Sequence, residues 1–575
     1  MMALHQQLTK RRVLAILVSL SVGGLLARLV ELGDRVFYYD EAWFGYWVLR
    51  FMENGVWEYR PILHGPFFAR VNSVVFPVVG ANDFTARVVV AGIGALLPLA
   101  AWLFREHLRR AEVVALGVAL AFNPVLFYYS RFMRKDLPLA AFMLVTLGLL
   151  VRAYDTRTPR YLYASGVTLG LAFATKESVL LWLVTWLGAS VLVFDRVLVR
   201  ARDTDGDALT TLQSLANRAV AGVRAWWTHG VLSGVLFLAV VVYFYAPRAG
   251  PGHPIGLWKG LTGDIASLPA VVGEATLGSF QAAIEYWAEG SIQNHAYLPY
   301  FTDTAETIVA GALGVTVLAA LGFLYDRYTG DSPRALVAFN FYCGVAAIVG
   351  YPLANNLPVP WSTVHAIVPL CVPAAVGGVA VYRWGRSRLP AREPAALRER
   401  APMHVVRAAV AAGLLVFFVA SAGATLAQTS YQQPHESPLG DPGHQIVYYA
   451  QAPDDLRAVV DDIDRAASTG GGETDVLYVG ERLAMNETRV DYPPATGAWH
   501  ARMPLPWYTE ALGADVTSVE RPGAVGNNTP PVVITTPALK PTVAQKLGDA
   551  YTSRTHALDD IGDRIVVVFT RADGA

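Results

Sequence analysis

The sequence FYYDEAWFGYWVLRFMENGVWEYRPILHGPFF, residues 37–68, is a charged and aromatic stretch between two long apolar runs. One run covers about residues 13–30 and the other about residues 83–104. A membrane-spanning helix needs about 20 mostly apolar residues, so each run can cross a bilayer. The sequence therefore predicts an α-helical polytopic membrane protein with about 11 spans. The remaining runs lie at about residues 112–129, 136–152, 160–175, 178–196, 230–246, 305–325, 334–352, 363–383 and 408–427.

The composition supports a membrane protein and excludes several other classes. Of the 575 residues, 54% are hydrophobic and 16% are charged, whereas soluble domains contain about 25% charged residues. The 46 Lys and Arg residues are balanced by 46 Asp and Glu residues, so no nucleic-acid partner is expected. The two cysteines, Cys343 and Cys371, lie in apolar runs, which excludes a disulfide scaffold. Only six basic residues are lysine, which fits either a salt-loving organism or a GC-rich genome.

The basic residues predict the orientation of the chain. With the N-terminus inside, the predicted inner loops contain 23 Lys and Arg residues and the outer loops contain 10. This bias predicts a multi-pass plasma-membrane protein with a cytoplasmic N-terminus. Eleven spans then leave the segment after residue 427 outside. We therefore divide the chain into a transmembrane domain, 1–427, with long outer loops at 31–82 and 247–304, and an extracytoplasmic domain, 428–575.

The extracytoplasmic domain is acidic and has an α/β pattern. It contains 20 acidic and 11 basic residues. Helical spacing covers Asp454–Ser468 and Thr542–Ala557. Short apolar or β-branched runs predict strands at Asp475–Gly480, Pro531–Thr536 and Arg564–Thr570.

Two adjacent carboxylates, Asp40 and Glu41, follow the first span. The next stretch, Ala42–Met52, has helical spacing and predicts a helix in the membrane interface. A carboxylate at the membrane surface can act as a general base or help to bind a divalent cation. Alternatively, both residues cap the helix that begins there. Two carboxylates are too few ligands to predict a metal site, so no cofactor is predicted with certainty and a divalent cation remains an alternative.

A second cluster lies in the predicted outer turn YYSRFMRKD, residues 128–136. It contains Arg131, Arg134 and Lys135 on the side of the membrane where positive charge is normally sparse. The planar guanidinium group of arginine suits phosphate oxygens, and a lipid phosphate is the natural partner at this depth. An anionic-lipid anchor or an internal Arg–Asp pair would account for the same residues.

Two more interruptions of apolar sequence are candidate sites. Lys176 and Glu177 are ionisable residues within a nearly continuous apolar stretch, where such residues are costly and usually functional. They could also form a single structural ion pair. The segment PVPWSTVH, residues 358–365, carries Trp361, which could stack on a sugar or belong to the interfacial aromatic belt. A lone His365 is typical of a hydrogen-bonded core residue as well as of a ligand.

Together these motifs resemble the GT-C superfamily, in particular its protein O-mannosyltransferase-like branch. More specifically they are similar to the archaeal flippase-activity-associated protein family. The resemblance covers most of the chain. It rests on the stretch 38–68, on YYSRFMRKDLPLAAFM at 128–143, ATKES at 174–178, PWSTVHAIVPL at 360–370 and MPLPWY at 503–508.

The resemblance implies a GT-C transmembrane fold and a mannosyltransferase-like, inverting hexosyltransferase activity. Such enzymes transfer a sugar from a dolichyl- or polyprenyl-phosphate carrier to an acceptor at the outer face, here in cell-surface N-glycosylation. Asp40 would be the general base, and Glu41 would orient the acceptor or bind a metal. Arg131 and Arg134 would hold the carrier phosphate and stabilise its growing charge. His64 falls near a His-Pro-Pro element of the O-mannosyltransferases, where this chain has His-Gly-Pro.

The family name also implies an alternative, a non-enzymatic protein that aids translocation of lipid-linked saccharides. A weaker alternative is a structural membrane protein whose outer domain recruits partners. The expected partners are membrane lipid, a polyprenyl- or dolichyl-phosphate sugar, and a flippase or other proteins of the glycosylation pathway. The candidates for binding substrate or lipid phosphate are Arg60, His64, Arg131, Arg134, Lys135, Lys176, Glu177, Trp361 and His365.

Overall fold

The computed structural model divides the chain into two compact units. Unit 1 consists of Met1–Val30, Val90–Tyr243 and Gly290–Gln432, and unit 2 of Glu31–Val89, Phe244–Glu289 and Gln433–Ala575. The structure describes residues 9–203, 208–248, 256–288, 296–329, 333–355, 357–386, 397–432, 446–447, 451–469, 474–487, 496–526, 529–559 and 564–572.

Helices dominate the described part of the chain. Short 3-10 helices cover Pro61–Leu63, Leu97–Phe104 and Pro360–Thr363. The α-helices are α1 Lys10–Leu29, α2 Tyr39–Asn54, α3 Phe67–Val79, α4 Asp83–Leu96, α5 Arg110–Phe122, α6 Pro124–Tyr129, α7 Asp136–Thr156, α8 Pro159–Thr175, α9 Val179–Asp203, α10 Ala208–Tyr245, α11 Leu257–Thr262, α12 Leu268–Gly273, α13 Ser279–Ala288, α14 Tyr297–Thr329, α15 Ala335–Ala354, α16 Val364–Arg386, α17 Leu397–Ala427, α18 Leu456–Thr469, α19 Gly497–Ala501, α20 Leu505–Ala511 and α21 Lys540–Leu547.

All of the predicted spans are helical. Within the described residues, nine helical segments are long and apolar enough to cross a membrane. The two other predicted spans are shorter, because α5 has 13 residues and α8 has 17. The predicted run 112–129 is divided at Asn123, whose side chain caps α6, and at Pro124, which starts that helix. The predicted polytopic helical fold is therefore confirmed.

Helix α16 is the central helix of unit 1. In the segment Pro360–Arg386, which contains α16, 78% of the most apolar stretch is buried. In the segment His404–Gln432 the corresponding share is 6%. It packs on α14 at Gly322 and Gly377, where a Cβ on either residue would overlap the backbone of the other helix. Because only glycine allows this approach, the two helices lie in direct backbone contact. This packing holds the start of α16, with His365, inside the unit.

The C-terminal domain contains five strands, β1 Val476–Val479, β2 Val516–Val519, β3 Val532–Thr535, β4 Tyr551–Ala557 and β5 Ile565–Arg571. They form one sheet in the order β2-β1-β3-β5-β4. Its strand β1 is parallel to β2 and β3, and β5 is antiparallel to β3 and β4. Buried side chains of β1, β3, β5 and α21 form its core. The predicted α/β domain is confirmed.

One prediction for this domain was wrong. The stretch Thr542–Ala557, predicted as one helix, is the end of α21 followed by strand β4. Helix α21 ends at Leu547, and the next residue, Gly548, has a positive φ of 65° that suits glycine. Pairing with β5 then makes the following residues a strand, since tertiary contacts override a weak helical spacing. The half-exposed edge strand β2 was not predicted.

The predicted outer loop 31–82 is largely helical and belongs to unit 2, as do residues 247–289 of the second predicted loop, whereas residues 290–304 belong to unit 1. Helix α2 confirms the helix predicted at Ala42–Met52, while α3 was not predicted. Helices α11 to α13 lie in the predicted loop 247–304, parts of which, 249–255 and 289–295, lie outside the described residues. The structure thus groups residues 31–82 and 247–289 with the C-terminal domain, whereas the sequence assigns them to the transmembrane domain.

Candidate functional site

The adjacent carboxylates Asp40 and Glu41 lie in the first turn of α2 but have different surroundings. The cap residue of α2 is Tyr38, and both carboxylates lie in the first turn, where the helix dipole favours negative charge. Glu41 is fully buried, and its two oxygens accept hydrogen bonds from Arg87 Nε at 2.8 Å and Nη2 at 2.7 Å. Asp40 is only half-buried. Of the two carboxylates, Glu41 is thus the enclosed one that Arg87 holds, and Asp40 is the more accessible one.

Arg87, the partner of Glu41, was not among the predicted site residues. Its Nη1 also donates to the carbonyl oxygens of Leu32, at 3.0 Å, and Arg35, at 2.8 Å. Arg87 thereby holds the chain on both sides of Asp40 to α4. The sequence did contain an indication of this role, because Arg87 is a charged residue inside the apolar run 83–104, and such residues are usually functional.

Arg60 and His64, the other candidates in this loop, have partners within unit 2. Arg60 pairs with Glu58 at 2.9 Å and is partly exposed. The ring of His64 is stacked on Trp287 with the centroids 5.1 Å apart. His64 also has a positive φ of 55°, which is uncommon for a residue with a Cβ. One face of its ring is thus covered by Trp287.

In unit 1, Asp136 lies at the centre of a buried polar cluster. Its Oδ1 accepts hydrogen bonds from Lys176 Nζ at 2.8 Å and from His365 Nε2 at 3.2 Å. Arg134 Nε lies 3.6 Å from the other carboxylate oxygen. This arrangement corresponds to the internal Arg–Asp pair that was one interpretation of the outer turn. Lys176 thus has a buried ion-pair partner, Asp136, that was not among the predicted site residues.

His365 and Trp361 are both enclosed by the protein. Trp182 Nε1 donates to His365 Nδ1 at 3.0 Å. Since an indole only donates, Nδ1 is the accepting nitrogen and Nε2–H donates to Asp136. Both ring nitrogens of His365 therefore have hydrogen-bond partners in the protein, as the interpretation of a core residue predicts. Trp361 is 5% exposed, and the guanidinium carbon of Arg134 lies 3.4 Å from its ring centroid. Its ring therefore supports Arg134 by a cation–π contact.

The remaining basic candidates of unit 1 differ in role. Arg131 Nη1 donates to the carbonyl oxygens at the end of α1, with Val30 at 2.7 Å, and its guanidinium lies over Tyr431. These contacts fit a structural role for Arg131 better than phosphate binding. Lys135 is buried, and burial lowers its pKa to about 7 although the charge of Glu177 opposes this shift.

An apolar groove of about 600 Å³ lies between α9 and α15 in unit 1. Tyr351 belongs to its lining, and the Tyr351 ring stacks on His365 with a centroid distance of 4.9 Å. The groove therefore adjoins the polar cluster around Asp136. Its lining also includes Leu181, Val184, Ala189, Leu192 and Ala347.

The described residues do not provide a metal site of the usual kind. Among them, no group of three or more His, Cys, Asp or Glu side chains could hold a metal ion. The pair Asp40 and Glu41 does not assemble a ligand set within the described part of the chain, since both oxygens of Glu41 accept from Arg87.

Two stretches of the chain match models of known protein families. Residues 456–571 match the Agl23 flippase-associated protein C-terminal domain, and residues 63–212 match the dolichyl-phosphate-mannose-protein mannosyltransferase model. No curated protein matches the chain. Among solved structures, ArnT from Cupriavidus metallidurans in the apo state is 15% identical, with a TM-score of 0.52 over 96% of this chain and 97% of ArnT. The same protein bound to undecaprenyl phosphate is 17% identical, with a TM-score of 0.50 over 97% and 98%. The predicted GT-C fold is confirmed.

Proposed function

We propose that this chain, a glycosyltransferase-like membrane protein of the GT-C fold with an Agl23-type C-terminal domain, transfers a sugar from a polyprenyl-phosphate carrier to an acceptor outside the cell. The observation that carries the proposal is the contrast between the two carboxylates of α2. Glu41 is held in a buried ion pair by Arg87, while Asp40, next to it, is half-buried. A positioned carboxylate that a substrate can reach is what a general base requires.

The cations of unit 1 support a phosphate site in this proposal. Arg134 and Lys135 adjoin Asp136, whose single carboxylate faces both Lys176, at 2.8 Å, and Arg134, at 3.6 Å, so the cluster contains more cations than acids. The ring of Trp361 fixes the guanidinium of Arg134 without neutralising its charge. An arginine oriented in this way can bind phosphate oxygens and stabilise the charge that grows on them as the sugar departs.

The apolar groove between α9 and α15 supports a lipid-linked donor. Its lining is apolar, and Tyr351 connects it to the polar cluster through His365. An isoprenoid chain in this groove would bring its terminal phosphate toward that cluster. The matched mannosyltransferase domain and the undecaprenyl phosphate bound by ArnT agree with this class of donor.

In the proposed reaction Asp40 accepts the proton of an acceptor hydroxyl. The hydroxyl oxygen forms a bond to the anomeric carbon, while the bond from that carbon to the phosphate oxygen breaks. The electron pair leaves with the polyprenyl phosphate, and the proton remains on the carboxyl group of Asp40. Attack opposite the leaving phosphate would invert the anomeric carbon.

A transfer assay tests the proposal directly. Purified full-length protein in liposomes is incubated with dolichyl phosphates carrying radiolabelled mannose, glucose or galactose, and with membranes of a host lacking the protein as acceptor. We expect label to enter the acceptor glycan from at least one donor. The alternative function, translocation, predicts no transfer but movement of the labelled lipid across the liposome bilayer, measured by its accessibility to an external oxidant of sugars. Movement without transfer would overturn our proposal.

The affinity for donor is expected to fall as the pH rises from 6 to 8, because the lowered pKa of Lys135, about 7, lies in this interval. Protonated Lys135 binds an anion better than the neutral amine, and a phosphodiester donor keeps one negative charge throughout. The expected loss is at most about tenfold, as for one group that changes charge. Binding of dolichyl-phosphate mannose to the purified protein measures it.

The control for this pH dependence is Lys135→Arg. Arginine stays charged throughout this interval, so the variant should bind the donor equally at both ends of it. If wild type and Lys135→Arg lose affinity in parallel, Lys135 is not the titrating group at the phosphate site.

A further inference from the structure

Two aromatic residues of α20 hold the stretch of chain that carries Asp40. The ring of Phe37, three residues before Asp40, is stacked on Trp507 with a centroid distance of 4.9 Å. The backbone N–H of Phe37 donates to the hydroxyl oxygen of Tyr508 at 2.7 Å. Both contacts join the C-terminal domain to the entrance of α2 within unit 2.

The same two side chains bind Asp83 at the start of α4. The hydroxyl of Tyr508 donates to the Asp83 carboxylate at 3.0 Å, and Trp507 Nε1 donates to it at 3.2 Å. Arg457, at the start of α18, adds a third hydrogen bond at 2.9 Å. Burial raises the pKa of Tyr508, so its hydroxyl remains a donor at ordinary pH. Tyr508 therefore bridges a fixed carboxylate and the backbone of Phe37.

Residues of helix α4 thus hold the chain on both sides of Asp40 through hydrogen bonds. Asp83 and Arg87 are four residues apart and lie on the same helix face. Through Tyr508, Asp83 holds Phe37, and Arg87 directly holds Glu41. Asp40 therefore lies in a segment of three residues, 38–40, that is held at both ends, by Phe37 and by Glu41.

The indole ring of Trp507 also sets the distance between α2 and α20. A Cβ on Gly45 would lie 2.6 Å from Trp507 Cε3, so α2 rests directly on this ring. Because glycine is the residue that permits this contact, the register of α2 against α20 is set by close packing as well as by hydrogen bonds.

We propose that Tyr508 and Trp507 of the C-terminal domain are positioning residues for Asp40, so that this domain is part of the catalytic apparatus. The inference rests on the proposed function, in which Asp40 is the general base. Because a displacement of about 1 Å can lower a rate about 100-fold, a loss of this support is expected to act on turnover.

The test compares two Tyr→Phe variants of the full-length protein. In the transfer assay, with the most active of the three dolichyl-phosphate sugars, Tyr508→Phe should lower kcat at least about tenfold and leave KM for the donor within about twofold. The matched control is Tyr551→Phe. The hydroxyl of Tyr551 donates to the carbonyl oxygens of Thr529 at 3.0 Å and Pro530 at 2.9 Å in the same domain. This control should keep the wild-type kcat.

A second variant keeps the test valid if Tyr508→Phe does not fold, as judged by its thermal unfolding in detergent. Phe37→Leu removes the stacking on Trp507 but keeps the backbone hydrogen bond to Tyr508, and it should also lower kcat with little change in KM. If the folded variants retain the kcat of Tyr551→Phe, the positioning role is overturned. Asp40→Asn separates the two ideas, because full activity of that variant would instead overturn the proposed function.

Discussion

Asp40→Asn is expected to lower kcat for sugar transfer about 10²- to 10⁴-fold, the usual contribution of a general base. Asparagine keeps the size of the side chain but cannot accept the proton of the acceptor hydroxyl. The binding of the lipid donor does not need this proton transfer, so KM for the donor should stay within about twofold of wild type. Initial rates with purified protein in liposomes measure both constants.

The matched control for this loss is Asp34→Asn. Asp34 is an exposed carboxylate in the same loop, and the described contact of this residue is made by its backbone carbonyl, which accepts from Arg457. The control should therefore retain wild-type rates. An Asp40→Asn variant that keeps more than half of the wild-type kcat would show that another group accepts the proton.

Glu41→Ala is expected to lower the free energy of unfolding by about 3–5 kcal/mol, the cost of leaving a buried charge without its partner. Both side chains of the Glu41–Arg87 pair are fully buried. Removal of the carboxylate leaves the Arg87 guanidinium with only the carbonyl oxygens of Leu32 and Arg35 among the hydrogen bonds described above. The thermal unfolding midpoint in detergent should fall accordingly.

Two further variants separate the effect of the buried ion pair from a general effect of losing a carboxylate. In the double variant Glu41→Leu with Arg87→Met both charges are absent, so it should be more stable than Glu41→Leu alone. Glu106→Gln removes an exposed pair with Lys10, at 3.1 Å, and should change stability by less than about 1 kcal/mol. Equal unfolding midpoints for Glu41→Ala and Glu106→Gln would contradict a stabilising role of the buried pair.

The fold could be predicted from the sequence to a large extent. Long apolar runs predicted the spans because a bilayer requires them in one continuous segment, and short β-branched runs predicted three strands of the C-terminal sheet. The predictions failed where local pattern was ambiguous. The stretch 542–557 has helical spacing, but pairing with β5 makes its second half a strand. Asn123 and Pro124 likewise divided a run that composition alone presents as continuous.

The candidate site could be predicted only as a set of residue types. The motifs identified Asp40, Glu41, Arg134, Lys135 and Lys176 as unusual charges next to apolar sequence. They did not reveal that Lys176 pairs with Asp136, 40 residues away, or that Glu41 pairs with Arg87. Spacing along the chain carries no information about which helices become neighbours.

The sequence by itself thus determined the class of the protein, its spans, its α/β domain and the charged segments that could carry chemistry. These properties depend on the length and periodicity of apolar residues, which are local. The tertiary structure decided that Glu41 is buried in an ion pair with Arg87 while Asp40 is half-buried. It also decided that Tyr508 of the C-terminal domain hydrogen-bonds Phe37 beside Asp40. The physical reason is that hydrogen bonds and ion pairs are short-ranged, so their partners are chosen only when packing brings distant segments together.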